Sequence, residues 1–570
     1  MDKNPLAVPG VRGSMERQGG RPTRGRNGIV QRDIGWIGRR DLARLLGAGT
    51  GAAALLGALP ARVHAQTRRE TLVIGIDISD TITFDPARES QYTAPMTLQA
   101  AYDALLAVSP DDYNTPRPAL ATAWARTPDG KGWRFTLRPD VRFASGNTMT
   151  ADDVKWSFDR TINLKDQPSQ YIWNIAAVNV IDPATVDILL HQPDEPILSI
   201  LASTNFAVMD RRTVEAQGGT AAADASTADT ATPWLNQHSA GTGAYVLVGW
   251  VRNAQIQLRR NPHDWRGGGG FARIVIRHLS DSAAQLLAIR RGDVDVACNL
   301  IPEQVASLRA EPATRVERLT SLDFVYMALT ENAAFSKPLA VKAARQAIGF
   351  AIDYDGIRDN LLGGAAVRPA SFLPIGVRGS TEPIARDIGF RQDLDRARHL
   401  LRQAGMPDGF EFAVGYGDAA VSGLSYALLA QKLQSDLARV GIRMTLAPMD
   451  QVNLRTQYTT GKSVAVLTFW NPPNTPEEEL WAGASVERVA KRLHWTPPEA
   501  LVRLVHQAAS ESDPAQQEKL WIDYQTAMVE EANLIVLFQP VYQFAVRSTV
   551  KLLPLTAAGP QAELSGAQPA

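Results

Sequence analysis

Very little in this chain can be cross-linked or used to ligate a metal. Among 570 residues there is one cysteine, Cys298, so no disulfide can form within the chain. It lies in the apolar run VDVACNL, where a buried inert thiol is expected rather than a reactive one. The eight histidines are scattered and show no paired metal-ligand spacing. An excess of one charge is absent too: Lys+Arg and Asp+Glu number 59 each, which removes the basic surplus expected of a nucleic-acid binder. Past the N-terminal region no apolar run is long enough to span a membrane. Catalytic patterns are incomplete. Gly461-Lys462-Ser463 has the end of a phosphate-binding loop, but Thr456 stands where its first glycine belongs. Gly423-Leu424-Ser425-Tyr426-Ala427 has the loose outline of a nucleophile elbow without the strand that should precede it. No enzyme activity, metal or cofactor is expected.

What is present begins with an address. Arg39-Arg40 precedes Asp41-Leu42 and a small-residue apolar run from Leu45 to Leu59, broken by Pro60. Val63-His64-Ala65 then offers the groups a signal peptidase reads, so cleavage is expected after Ala65, with Gln66 first in the mature chain. The run is too short and too rich in glycine to be a spanning helix. The arginine pair is similar to a twin-arginine export signal, with Gly38 where Ser or Thr is usual and Leu42 in place of Phe. General secretion is the alternative route. Residues before Arg39 read as a long leader or the product of an early start codon. No lipid-bearing cysteine follows the cleavage site, so a soluble protein of the periplasm is expected.

The remaining ~500 residues are enough for two or three domains. Thr71 to Asp77 reads as a buried strand. Asp129-Gly130 is a turn, after which Trp133, Phe135 and Leu137 alternate with polar residues as in a half-buried strand. Thr150 is a good helix N-cap, with Asp152 and Asp153 in the first turn and Val154, Ser157 and Phe158 on one face. Val178 to Leu190 reads as paired strands turning at Asp182-Pro183. Gln217 to Thr232, poor in large apolar groups, is expected to be a surface loop. Val246–Trp250 and Ile256–Arg260 form a hairpin, followed by a strand at Arg273–His278 and a helix at Ser282–Arg290. Phe324–Leu329 is a strand and Val341–Asp353 a helix with Ala344, Ala347, Ile348 and Ala351 inward. Leu534–Phe538 and Tyr542–Val546 are two apolar strands, and the residues after Leu555 a loose tail. Mixed strands and helices with two crossings suggest two α/β lobes and a hinge.

The most patterned stretch is Ala100 to Arg160. Tyr102, Asp103, Leu105, Leu106, Pro118, Leu120, Ala121 and Trp124 are followed by Asp129, Gly130, Phe135, Leu137, Arg138, Val141, Phe143 and Gly146, then by Thr150, Ala151, Asp153, Val154, Ser157 and Arg160. This spacing resembles the signature of the family 5 solute-binding proteins that feed peptide-type ABC importers. Gly241–Tyr245 is similar to the family's GTGPY turn, with Ala244 for Pro, and Gly292–Val296, Val341–Asp353, Leu394–Gly405 and Leu429–Met444 are similar to later family elements. The resemblance implies an α/β, two-lobed periplasmic binding protein, a hinged trap with an extra subdomain on lobe one. The expected boundaries are 1–65 for the signal peptide, 66–319 for lobe one with a subdomain at about 116–195, 320–533 for lobe two, and 534–570 for the return to lobe one and the tail. The implied function is capture of a small peptide or peptide-like solute by a monomer that then docks on ABC permease transmembrane subunits. A non-peptide solute (opine, sugar or chelate) or a sensory, ligand-presenting role is the alternative.

Three segments resemble the family's cleft-lining stretches: Ser90, Gln91 and Tyr92; Ser169 to Trp173, with Tyr171 and Trp173 as candidate contacts; and Arg455 and Tyr458 on to Trp470 and Asn471. Aromatic walls suit a cleft because they bury large area at little entropic cost and leave a polar edge free. Peptide binders of the family read GW--D---P in the third segment, the aspartate receiving the peptide's α-ammonium. Here Pro473 stands in its place and offers neither anion nor N–H. Glu477 to Glu479 come next and read as the first turn of a helix. The arginine pair gives a direct test. Arg39→Lys with Arg40→Lys is expected to abolish appearance of the mature protein in the periplasm; unchanged export would assign the general route.

Overall fold

The computed structural model describes residues 70–91, 93–109, 112–191, 197–268, 270–418, 420–470, 478–511, 513–557 and 561–570. The expected leader through Ala65 lies outside them. The first described strand, β1 (Thr71–Ile76), is buried on both faces, as its unbroken apolar run predicts. Leu72, Ile74 and Ile76 face one core while Val73 faces a second with Ile289 and Val294.

A separate four-stranded sheet comes next, made of β2 (Ala121–Arg126), β3 (Gly132–Leu137), β4 (Ile175–Asp182) and β5 (Thr185–Leu190) in the order β2-β3-β5-β4. Phe135, Val186 and Ile188 lie on its buried face against Val154 and Phe158 of helix α1 (Ala151–Leu164). That helix starts where expected: the Asp153 carboxylate accepts from the Thr150 N–H at 2.9 Å and from its hydroxyl at 3.1 Å. Asp103 ties this unit to the strands around β1. Its carboxylate accepts from the Thr242 hydroxyl at 2.7 Å, the Trp265 indole at 3.1 Å and the Arg266 guanidinium at 2.8 Å. Arg138 lies over the other side of the joint, 4.3 Å from the Trp265 ring centroid.

The chain then returns to β1. Strand β8 (Arg273–His278) pairs with it in parallel, β7 (Gln255–Arg260) pairs antiparallel to β8, and β6 (Tyr245–Val251) closes that edge. On the other side of β1 lies β9 (Val296–Ala297), and β10 (Thr314–Thr320) leads out of this half. The second half is built on β11 (Phe324–Leu329), helix α2 (Lys342–Ala351), β12 (Glu411–Gly417), helix α3 (Tyr426–Ala438), β13 (Arg443–Met449), helix α4 (Gln451–Thr459) and β14 (Ala465–Trp470). Ala344, Ala347, Ile348 and Ala351 of α2 face its core, as their spacing predicts.

One strand joins the halves. β15 (Leu534–Arg547) is 14 residues long, pairs through Leu534–Phe538 with β11 and through Val541–Arg547 with β10. The large sheet therefore has twelve strands. Sequence reading divides this segment into two strands because Gln539-Pro540 interrupts the apolar pattern. The structure keeps it whole. Pro540 lacks an N–H, but its carbonyl accepts from Ser321 at 3.0 Å. Gln539 is fully buried and uses its whole amide. Nε2 donates to the carbonyls of Ser321 and Ile375, and Oε1 accepts from the Ile375 N–H at 2.7 Å.

Two other expectations are corrected. Gln217 to Thr232 is not merely a surface loop: it holds a short helix at Ala225–Ala228, buries Ala225 and Ala231, and carries a fully buried carboxylate on Asp229. The residues after Leu555 are not a loose tail. Gln561–Ala562 pairs with Leu555–Thr556, and Ala562, Leu564 and Ala567 join the core around β1.

The junction makes a quantitative prediction. Gln539→Leu keeps the volume but strands the buried Ser321 carbonyl and the half-buried carbonyl and N–H of Ile375, a fully buried group costing about 1–3 kcal/mol when unsatisfied. Urea unfolding is expected to show a loss of at least roughly 2 kcal/mol; a variant as stable as the parent would contradict this account of the junction.

Candidate functional site

The first candidate segment sits on a loop that comes after β1, and a buried arginine holds that loop. Arg160, on the last full turn of α1, is entirely enclosed. It makes two parallel bonds to Asp85, at 2.8 and 2.7 Å, and two to Asp229, at 2.8 and 3.0 Å. Burial by itself would lower the guanidinium's pKa. The Asp85 and Asp229 carboxylates outweigh it and leave the value above its ordinary one. Asp229 is in turn held below the usual carboxylate range, because Arg160 more than offsets its burial.

Arg88 extends this network toward the second segment. It reaches Asp166 at 2.5 Å, with Asp85 and Asp229 at 3.7 and 3.8 Å. Asp166 is the residue before the 3-10 turn Gln167–Ile172, which carries Tyr171. The Asn205 amide clamps the loop from beneath, donating to the carbonyls of Pro86 and Glu89 at 3.0 Å each. Ser90 and Gln91 are left at the tip, Ser90 exposed and Gln91 half-buried, with the Gln91 amide 3.2 Å from the Ser90 hydroxyl. Tyr92 lies outside the described residues.

Glu89 is the odd group in this loop. It is buried, and its carboxylate accepts from the Gln91 N–H. Desolvation pushes its pKa up to about 8, with the nearby Asp80 charge adding to the rise.

Tyr171 packs half-buried against the four-stranded unit, with the Gln167 amide 3.5 Å from its hydroxyl. Trp173 stands in solvent, 64% exposed. The third segment meets the second through Arg455 of α4, whose Nη2 lies 3.4 Å from Gln167 Oε1. The structure thus connects the three segments in sequence: Arg88 to Asp166, then Gln167 to Arg455.

Trp470, at the end of β14, is the half-buried outer member of an aromatic stack. It meets Phe372 edge-on at 5.0 Å, and Phe372 meets Tyr326 at 5.1 Å and Phe324 at 4.9 Å. Tyr458 closes the stack from behind. It is buried, its hydroxyl 3.1 Å from that of Tyr326, with the Arg492 guanidinium 5.1 Å from its ring centroid. The expectation of a solute contact at Tyr458 is therefore revised to a support for the wall that ends in Trp470. Phe469, the neighbour on the other face of β14, is 41% exposed. Asn471, Pro473 and Glu477 lie outside the described residues; the next helix begins at Glu478, as expected.

The fragments with enzyme-like outlines have structural roles. The Ser425 hydroxyl accepts from the Leu428 N–H at 3.2 Å and caps α3. Gly461-Lys462-Ser463 joins a helix to a strand, the reverse of the strand-to-helix order a phosphate loop needs. Cys298 is buried, with its thiol pushed up to about 12. Among the described residues no group of three or more His, Cys, Asp or Glu could hold a metal, and no helix is long and apolar enough to cross a membrane.

Arg88, Asn205, Asp229, Gln167 and Phe372 position the site, and sequence reading missed them. The contacts by which the first four join the network reach partners 69 to 288 residues away, so no local pattern marks them.

Comparison with known proteins agrees with this architecture. The model for bacterial extracellular solute-binding proteins, family 5, matches residues 115–485. The probable D,D-dipeptide-binding periplasmic protein DdpA of Escherichia coli K12 is 25% identical over 495 residues, covering 86% of this chain and 92% of the relative. Helicobacter pylori DppA, solved with the peptide STSA, superposes with a TM-score of 0.72 at 20% identity, covering 89% of this chain and 99% of that one. MoaA of A. tumefaciens R10, solved with mannopinic acid, gives 0.71 at 21% identity, covering 88% and 99%. These likenesses show the two-lobed binding-protein fold.

Glu89 supplies a test by pH. Its folded pKa, about 8, lies above its ordinary value of 4.5. The folded chain therefore keeps a proton that the unfolded chain releases, and this contribution is complete below pH 4.5 and is lost as pH rises through 8. Glu89→Gln removes the titration while retaining an acceptor for the Gln91 N–H. Thermal unfolding across this range should show the variant gaining on the parent as pH rises; parallel curves would contradict a buried, protonated Glu89.

Proposed function

The chain belongs to the family 5 bacterial extracellular solute-binding proteins, and from that premise we propose that it is the periplasmic solute-binding component of a peptide-type ABC importer. In this reading a small peptide or peptide-like solute is enclosed between the two lobes and handed to a membrane permease. The chain works as a monomer, without cofactor and without catalysis. Lobe one comprises the sheet around β1, the four-stranded unit and the C-terminal return; lobe two lies between the two crossings, at residues 321–323 and 539–540, so the return to lobe one follows Phe538 instead of beginning at 534 as expected from the sequence, because Leu534–Phe538 pairs with β11. The N-terminal segment through Ala65 exports it.

The observation that carries the reading is the meeting of Arg455 and Gln167. One belongs to the helix before Trp470, the other to the turn before Tyr171, and the polar contact lies where a solute between the lobes would be gripped from both sides. Trp470 offers a wall braced by four aromatic rings behind it. Peptide recognition is supported by the ligands of DdpA and DppA. The substitution of Pro473 for the family's aspartate favours solutes without a free α-ammonium, and MoaA with its mannopinic acid is a case of this fold holding a ligand that is not a peptide.

Closure follows from differential affinity. A solute that touches both lobes stabilises the closed form by the contacts it makes only there.

Mass spectrometry of solute carried through purification would supply the natural ligand. With that solute, Trp470→Ala is expected to weaken binding at least roughly tenfold, since truncating an aromatic hot spot costs about 2 kcal/mol or more. A matched pair of dipeptides, one free and one N-acetylated, tests the pocket's charge by calorimetry. The acetylated form should bind more tightly; a clear preference for the free amine would mean that a carboxylate elsewhere, such as Glu478, receives it.

A further inference from the structure

A cavity of about 330 Å³ opens on lobe two, away from the residues assigned to the cleft. Its floor is apolar, with Leu537 and Phe538 of β15 and the two-residue strand Ala366–Val367 that pairs with Gln539 and Pro540. Its walls carry four guanidinium groups, from Arg358, Arg368, Arg386 and Arg391.

The charges there are not balanced. Arg358 is occupied by Asp355 at 3.0 Å and by Asp359 through two bonds at 2.7 and 2.8 Å. The lining holds two acids, Asp355 and Glu382, against four arginines, and the Asp355 charge is felt by Arg368 as well as by Arg358. Among the described residues, the guanidinium groups of Arg368, Arg386 and Arg391 make no ion pair or hydrogen bond.

Arg368 is the most constrained of the three. Its guanidinium carbon lies 4.4 Å from the ring centroid of Tyr354, a ring fixed by its own hydroxyl, which donates to the Gly349 carbonyl at 2.9 Å. A Cβ on Gly389 would lie 3.3 Å from Arg368 Nη1, so the group rests against the turn between Arg386 and Arg391. Burial holds its pKa below the ordinary arginine value. Stacking on a ring occupies the face of a guanidinium and leaves its edge, where the N–H donors are, free for a planar oxyanion. Arg386 and Arg391 beside it are exposed, so their N–H donors are open to an incoming anion.

We propose that this cavity binds a small oxyanion carrying two or more negative charges, such as a phosphate ester or a polycarboxylate. Arg368 is the fixed fork, Arg386 and Arg391 close over the charge, and the Leu537–Phe538 floor takes the ligand's apolar part. The volume is that of a small-molecule site, which favours a free metabolite over a segment of another protein.

Calorimetry on the full mature chain, with pyrophosphate and with citrate at constant ionic strength set by chloride, tests the proposal. One-to-one saturable binding of at least one probe is expected. Arg368→Gln should weaken it at least roughly tenfold, the loss of a paired, charge-assisted contact. Arg391 is exposed, so Arg391→Gln leaves the fold intact and should weaken binding several-fold even if Arg368→Gln does not fold. Arg443→Gln, in an exposed pair with Glu411, and Trp470→Ala should leave it unchanged. Absence of saturable binding by both probes, or equal affinity in the Arg391 variant, would overturn the proposal. So would loss of anion binding in Trp470→Ala, which would move the anion to the cleft, or binding confined to an acidic peptide, which would make the cavity a protein contact.

Discussion

The two halves of this molecule share a single backbone strand, and the large sheet is continuous through it. β15 gives five residues to one half and seven to the other, with Gln539 and Pro540 between them. A strand that continues across a junction cannot be pulled apart without breaking its hydrogen bonds, but it can bend and twist where pairing is thin. The junction is thin in that sense. Opposite Gln539 and Pro540 lie the two-residue strand Ala366–Val367 and the Ser321 N–H, and the second crossing is the short stretch 321–323. Gln539 compensates by bonding the buried Ser321 carbonyl and the half-buried carbonyl and N–H of Ile375. Tyr542 adds a bond from its hydroxyl to Asp323 at 2.7 Å. A hinge so tethered permits rotation and forbids separation.

The cleft side of lobe one depends on charge rather than on backbone. Arg160, Asp85 and Asp229 are sealed from water, and removing one partner from such a set leaves an uncompensated buried charge costing several kcal/mol. Their value to function is positional. Through Arg88 and Asp166 the same network fixes the angle between the loop that ends at Gln91 and the turn that carries Tyr171. On lobe two the equivalent job falls to stacked rings, which place Trp470 without using any charge. The loop that ends at Gln91 is thus held by charge and Trp470 by packing.

The sequence is most readable where short-range rules govern. Thr150 with Asp153, the alternation from Trp133 to Leu137, the hairpin through Asp182-Pro183 and the helical spacing of Ala344 to Ala351 all report forces acting within a few residues. Gln539-Pro540 misleads because a polar-proline pair ordinarily ends a strand, and only the distant Ser321 and Ile375 make it acceptable there. Asp229 misleads because a buried carboxylate in an alanine-rich loop looks solvated until Arg160 is brought to it. The end of the chain misleads because three small apolar groups carry no period of their own. The candidate site segments rest on family spacing, and the structure links them through Arg88 with Asp166 and Gln167 with Arg455. The division of labour among their residues is not legible in the sequence: Trp470 and Tyr458 look alike in sequence, and only packing puts one at the surface and the other behind it.

A hinged trap has one consequence that no static arrangement of residues shares: its shape depends on its cargo. Small-angle scattering of the mature chain, with its solute removed by partial unfolding and refolding and then restored, measures this directly. The account predicts a smaller radius of gyration with solute bound, as the lobes close by rotation about residues 321–323 and 539–540 onto the arrangement in which Arg455 meets Gln167. An unchanged radius in a sample whose occupancy calorimetry has confirmed would contradict it.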